Sequence, residues 1–197
     1  MGKTTLALQI AVSVGLNEPV LYYDFENGSD VLLYHLAQVF RGNIGKIRKA
    51  LQRVYFRESI RTLESDLAAV GSPALIIIDS VQKLPTSVDN RRTSLDRWVH
   101  RLEALKKRGY QVLLISEKGR AEYNTATIKG FKETGEIEYS ADMGMQLLES
   151  DNDRIEVHIV KNRHKKERGY LCDLTRQNDW WFQEQRAFIQ DQMGFPE

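Results

Sequence analysis

The run Ala74 to Ile78, ending in Asp79, constrains the fold of this chain more than any other stretch. It is apolar without alternation, so it predicts a strand covered on both faces. It ends in a carboxylate, which puts Asp79 at the C-terminal edge of a parallel sheet, where ligands of open α/β sheets bind. The flanking segments suit such a sheet. Leu6, Ala7, Ile10, Ala11 and Val14 share one helical face, and Gly15 can end that helix. Val20 to Phe25 reads as a buried strand. Ser29 and Asp30 can cap a helix carrying Leu32, Leu33, Leu36, Val39 and Phe40. Val54 to Phe56 is a short strand. Ser94 can cap a helix with Leu95, Trp98, Leu102 and Leu105 inward, stopped by Gly109, and Val112 to Ile115 is a further apolar strand. Strands and helices alternate, as in a parallel sheet with crossover helices.

The last third differs. Met143 to Leu148, Ile155 to Val160, Tyr170 to Leu174 and Trp180 to Phe182 read as strands joined by tight polar turns such as Ser150-Asp151-Asn152-Asp153 and Gln177-Asn178-Asp179. Short connections imply antiparallel pairing. The expected fold is α/β, a mixed sheet with a parallel centre and an antiparallel C-terminal edge. The tryptophans Trp180 and Trp181 read as edge-strand packing.

At 197 residues, one domain over 1–197 is expected, with 42% hydrophobic and 28% charged residues as in ordinary globular chains. The net charge of +1 gives no global attraction to polyanions or membranes, so any polyanion site must be local. Cys172 is the sole cysteine, which excludes an intrachain disulfide. No apolar run approaches bilayer length and no signal-peptide pattern opens the chain, so a cytoplasmic protein without a membrane partner is expected. His35, His100, His158 and His164 show no metal-ligand spacing with Cys172.

Gly2-Lys3-Thr4-Thr5 opens the first helix. In a phosphate-binding loop the backbone N–H groups and the helix N-terminus wrap phosphates, the lysine reaches the β/γ-phosphates and the first threonine hydroxyl binds Mg²⁺. On their own these four residues fit an ordinary helix start better. Asp79 shifts the balance, because a strand-end carboxylate is the second half of such a Mg²⁺ site. Glu26, closing Tyr22-Tyr23-Asp24-Phe25-Glu26, can orient or deprotonate an attacking water, or be a solvated loop acid. Lys161 and Arg163 can project to one face of an extended segment and clamp a neighbouring subunit's γ-phosphate. A basic turn running on through Lys165, Lys166 and Arg168 is the simpler reading of those residues. Arg120, Lys129 and Lys132 lie on a long polar stretch that suits either a polyanion-binding loop or a solvated one.

In order, these segments resemble the RecA-like motor domain of DnaB-type replicative helicases across nearly the whole chain. Gly2-Lys3-Thr4-Thr5 resembles the end of the Walker A loop, Leu21 to Glu26 the strand ending in the catalytic glutamate, Ile76 to Ser80 Walker B, and Leu113 to Ser116 the sensor strand. Phe131 to Asp142 resembles the family's ESG-IE--AD segment, the most specific match. Val160-Lys161-Asn162-Arg163 resembles the Lys-x-Arg element that acts in trans, and equally an element of the RadA repair ATPases. The resemblance implies a three-layer RecA-like fold and a homo-oligomeric ring, usually a hexamer. It implies ATP and Mg²⁺ as cofactors, hydrolysis of ATP, and single-stranded DNA held by loops that include Arg120, Lys129 and Lys132.

Three departures stand out. The complete loop needs a glycine five residues before Gly2 and a strand to feed it; neither is in the sequence, so weak ATP binding or none is expected of the chain as written. Glu117 stands where the family has a glutamine that senses the γ-phosphate, and a carboxylate there is repelled by a triphosphate. No N-terminal collar domain is present in the sequence. Three functions follow: a DnaB-type helicase motor, a RadA-like recombination or repair ATPase, and a non-catalytic interaction module that kept the fold and lost ATP binding.

Overall fold

The computed structural model describes residues 2–39, 44–87, 90–117, 135–150, 154–166, 168–177 and 181–185. The first half runs α1 (Lys3–Gly15), β1 (Val20–Asp24), α2 (Ser29–Val39), α3 (Ile44–Leu51), β2 (Val54–Arg57), α4 (Leu63–Val70), β3 (Leu75–Asp79), α5 (Arg91–Lys107) and β4 (Gln111–Leu114). After the short helix α6 (Gly135–Ser140) come β5 (Met143–Glu149), β6 (Arg154–Asn162), β7 (Gly169–Gln177) and β8 (Trp181–Gln185).

Parallel strands come first and antiparallel strands last, as expected, but the described residues place them in two four-stranded sheets, ordered β2-β1-β3-β4 and β5-β6-β7-β8, where one mixed sheet was expected. β1 and β3 pair in register from Val20 beside Leu75 to Asp24 beside Asp79. Both central strands are covered on both faces, which is why they carry no polar alternation. On one face Tyr22 and Ile77 pack with Ala7, Leu8, Ala11 and Val12 of α1, Leu32 and Leu36 of α2, and Ile47 and Ala50 of α3. On the other, Tyr23, Ile76 and Ile78 pack with Leu63 and Leu67 of α4, Leu95, Val99, Leu102 and Leu105 of α5, and Ile137 of α6. The result is three layers.

Several local expectations need correction. The buried face of α1 is Ala7, Leu8, Ala11 and Val12, whereas Leu6 and Ile10 are only partly covered. The cause is that α1 touches two sheets: Leu6 packs on the antiparallel one, against Ile155, Val157, Cys172, Leu174 and Phe182. Gln9 adds a two-way clamp, its side chain donating to the Phe182 carbonyl at 3.0 Å and accepting from the Phe182 N–H at 3.1 Å. Leu33 is 46% exposed, on the outer side of α2, and Phe40 lies outside the described residues. The cap of α5 is Asn90, whose side chain accepts from the Thr93 N–H at 3.2 Å, so the helix starts before Ser94. Val99 takes the inward position, while the Trp98 indole donates to the Pro85 carbonyl at 2.9 Å. Gly109, at φ +92°, does end that helix in a conformation that suits glycine. The helices α3, α4 and α6 were not anticipated: each has eight residues or fewer, too short to show a firm period. Trp181 opens β8; Trp180 is outside the described residues.

Candidate functional site

The C-terminal ends of β1 and β3 and the N-terminus of α1 meet at one place. Asp79 is 3% exposed and Asp24, its register partner, 2%. The Tyr22 hydroxyl donates to Asp79 Oδ2 at 2.8 Å, and the Thr4 side chain is also hydrogen-bonded to that carboxylate. Burial raises the pKa of Asp79. The hydrogen bonds from Thr4 and Tyr22 oppose the rise, and the charges of Asp24 and Glu26 reinforce it. Tyr22 is pushed far above the usual phenol range, first by burial and then by Asp79, so it stays a donor.

Glu26 is exposed on the loop after β1, and its Oε1 accepts from the buried Ser80 hydroxyl at 3.0 Å. Asp24 anchors the same loop. Its Oδ1 accepts from the Glu26 N–H at 3.4 Å and the Asn27 amide at 3.0 Å. Its Oδ2 accepts from the Asn27 N–H at 3.0 Å and the Gly28 N–H at 2.7 Å. Gly28 has φ +78°, which the tight turn requires.

At the head of α1, Gly2 is the N-cap and no side chain caps the helix. Its carbonyl accepts from the Leu6 N–H at 2.9 Å. A Cβ on Gly2 would meet the far edge of the Phe182 ring, so the close packing of β8 on the head of α1 favours glycine here unless the ring turns aside. Lys3 is partly exposed and Thr5 is buried. The oxygen donors of Thr4 and Asp79 suit a hard cation such as Mg²⁺. Among the described residues no cluster of three or more His, Cys, Asp or Glu could hold another metal.

Of the expected site residues, the structure brings together Thr4, Asp79 and Glu26, with Gly2 and Lys3 at the adjoining helix start. Glu117 follows β4 at the same sheet edge, next to Ser116, whose hydroxyl accepts from the Gln82 amide at 3.0 Å. Arg120, Lys129 and Lys132 lie outside the described residues. Lys161 and Arg163 do share a face, but they bond elsewhere, at the C-terminus of α6. Lys161 Nζ donates to the carbonyls of Glu138 at 2.6 Å and Tyr139 at 2.9 Å. Arg163 donates to the Tyr139 carbonyl at 2.7 Å and to Asp142 Oδ1 at 3.0 Å. Cations at a helix C-terminus satisfy its free carbonyls and its dipole. Asp142 also takes Lys106 at 2.7 Å, which with Arg163 holds its carboxyl below the ordinary range despite partial burial. Burial, then the neighbouring Arg163, lowers the pKa of Lys161.

Tyr22, Asp24 and Ser80 were not anticipated as site residues. Asp24 was signalled by the Asp-x-x-Asn-Gly pattern of a side-chain-capped turn. Nothing in the linear sequence tells that Tyr22 reaches Asp79, because the contact spans two strands.

The buried charge on Asp79 makes one prediction direct. A carboxylate whose folded pKa is raised costs stability as pH rises from the ordinary carboxylate range through the folded value. Asp79→Asn removes that cost and can still accept from Tyr22. The nucleotide-free variant is expected to unfold at a higher temperature than the parent at neutral pH, the gap closing on acidification. A scanning-calorimetry series over pH showing a destabilised variant at neutral pH would contradict this electrostatic account.

Among the described residues no helix is long and apolar enough to cross a membrane. Among the curated proteins none matches this sequence. A solved DnaB-like replicative helicase, determined with its interactions with primase, is similar at 20% identity and a TM-score of 0.75, covering 92% of this chain and 56% of that one. The RadB recombinase is similar at 20% identity and a TM-score of 0.59, over 88% of this chain and 81% of that one. The chain thus spans little more than half the length of the DnaB-like helicase. The AAA domain family matches over residues 1–121. Together with the Thr4–Asp79 contact at the head of α1, that match shows that the chain belongs to the AAA domain family, with the fold of a RecA-like P-loop ATPase.

Proposed function

We propose that residues 1–197 form a single RecA-like motor domain that hydrolyses ATP and acts on single-stranded DNA in the manner of DnaB-type replicative helicases, as part of a homo-oligomeric ring. The observation that supports this most is the convergence of Thr4, Asp79 and Glu26 at one sheet edge beside an uncapped helix N-terminus. In this reading Thr4 and Asp79 hold Mg²⁺, which supplies charge neutralisation for the phosphates. Gly2, Lys3, Thr4 and Thr5 form the phosphate cradle, with the Lys3 ammonium on the β/γ-phosphates. Glu26, oriented by Ser80, takes the proton of the attacking water. Glu117 stands near the γ-phosphate as the sensor, and Arg120, Lys129 and Lys132 contact DNA phosphates. Lys161 and Arg163 serve the nucleotide of the next subunit.

The expected result is ATP hydrolysis that rises with single-stranded DNA and drives unwinding of a forked duplex, measured on an N-terminally extended form with a complete phosphate loop. The fold likeness to the RadB recombinase favours a second reading, a RadA-like recombination ATPase. Branch migration of a four-way junction without fork unwinding would select it. Failure of the extended protein to bind ATP in a calorimetric titration would leave the non-catalytic interaction module.

A further inference from the structure

Helix α5 leaves its largest side chain at the rim of the core. Val99 takes the inward position, and the partly covered Trp98 indole is held to the preceding loop by its hydrogen bond to the Pro85 carbonyl at 2.9 Å. A second tether, from the Ser87 N–H to Ser94 Oγ at 3.1 Å, fixes the same loop against the helix. Between loop and helix lies an open notch of about 260 Å³, lined by Pro85, Ser94, Arg97, Trp98 and Arg101. That is below the roughly 300–1,000 Å³ of pockets that enclose a small molecule. It has room for a few side chains presented by another polymer.

Helical spacing builds the notch. Ser94, Arg97, Trp98 and Arg101 recur at intervals of three and four, so they form one stripe along α5, with the Cβ atoms of Arg97 and Arg101 about 5–6 Å apart. Arg108, seven positions beyond Arg101, continues the stripe. The Arg101 guanidinium lies over the Trp98 ring, 5.1 Å from its centroid, and that of Arg108 over the Tyr110 ring at 5.2 Å. Glu64 of α4 reaches Arg101 at 3.6 Å and Arg108 at 3.3 Å. Among the described residues that is the one carboxylate paired with the stripe, and no hydrogen bond or ion pair holds the exposed Arg97 side chain. Three guanidiniums therefore share one carboxylate. It is 56% exposed, so the pairing is weak and the stripe keeps a positive field. Asp96 and Glu103, also seven apart, lie on another flank of the helix.

A fixed aromatic ring beside two guanidinium forks has a defined complement. A guanidinium matches a carboxylate through paired, parallel hydrogen bonds. Trp98, its N–H already engaged by Pro85, offers apolar ring surface. A nucleic-acid strand fits less well. Strands bind by neutralising a run of phosphates along an extended cationic track. Here the cations are confined to one short helical stripe with Glu64 set among them.

We propose that this notch docks a short acidic segment of a partner protein, its carboxylates on Arg97 and Arg101 and a neighbouring apolar side chain laid against Trp98 and Pro85. None of these residues belongs to the nucleotide site, so the proposal is independent of the ATPase reading.

The test uses the 197-residue chain and the fluorescein-labelled peptide Gly-Glu-Asp-Phe-Asp-Glu-Pro-Gly, followed by anisotropy at low salt without nucleotide. Arg97→Glu is expected to weaken binding roughly tenfold or more, the scale of losing a hydrogen bond to a charged group. Trp98→Ala should do the same. Arg97→Lys, which keeps the charge and loses the fork, should cost less than Arg97→Glu. A peptide with Gln and Asn in place of its acids, and one with Ser in place of Phe, should each bind more weakly by roughly tenfold or more. Arg97 is exposed, so the Arg97→Glu protein should melt at the parent's temperature, and it decides the matter if Trp98→Ala does not fold. No binding of the acidic peptide, equal binding by the parent and Arg97→Glu, or equal binding of the uncharged peptide overturns the proposal. A labelled oligothymidylate that loses affinity with Arg97→Glu while the acidic peptide does not makes the notch a nucleic-acid contact and equally overturns it.

Discussion

Mixing a Lys3→Ala subunit with an Arg163→Ala subunit is expected to restore ATP hydrolysis that neither has alone. Each single variant, in a binding-competent form, should lose on the order of a thousandfold in turnover, the scale of a missing transition-state cation. In the structure Arg163 is anchored to Asp142 and to the Tyr139 carbonyl, and no described contact takes it to Thr4, Asp79 or Glu26. A residue presented away from the carboxylates proposed for its own site suits service to a neighbour. Head-to-tail rings repeat that interface at every subunit. In an equal mixture about one interface in four then pairs an intact Lys3 with an intact Arg163. Steady-state ATPase across mixing ratios should trace a maximum near equal parts. A flat, inactive response in mixtures shown to co-assemble would leave Arg163 as one of the helix-capping cations at α6.

Glu26→Gln is expected to lower turnover by roughly a hundredfold or more, as loss of a general base does, with ATP affinity nearly intact. The Ser80 hydroxyl can still donate to the glutamine oxygen, so the side chain should keep its place. From strand position alone Asp24→Asn would matter much less. The hydrogen bonds reverse that expectation. Each Asp24 oxygen accepts from two loop donors, and an asparagine must turn its NH₂ toward two of them. Asp24→Asn should therefore also lower turnover, by loosening the loop that carries Glu26. Single-turnover hydrolysis beside equilibrium ATP titration separates the two effects. Unchanged turnover for Glu26→Gln removes it from the chemistry.

The strands were readable because each is a short run whose composition reports its own burial. Val20 to Asp24 and Leu75 to Asp79 are apolar along their length because helices cover both faces. The short helices were not readable for the opposite reason. In α3 only Ile47 and Ala50 are buried, too few to mark a period. Periodicity alone misplaces the buried face of α1, because Leu6 and Ile10 are apolar for a second surface, not for the sheet that buries Ala7 and Leu8.

By itself the sequence determined the local chemistry: a glycine-lysine-threonine helix start, a carboxylate at the end of an apolar strand, a second acid closing another, and paired cations at the end of β6. Those are properties of residue type and of one-dimensional spacing. Only the tertiary structure decided which of them meet. Parallel pairing sets Asp24 beside Asp79, the crossover brings Thr4 onto Asp79, and packing sends Lys161 and Arg163 to the carbonyls of α6 instead. Contacts such as Tyr22 to Asp79, 57 positions apart, depend on which strands are neighbours and on which face each side chain leaves. Sheet order and crossover hand set those relations, and no single segment encodes them.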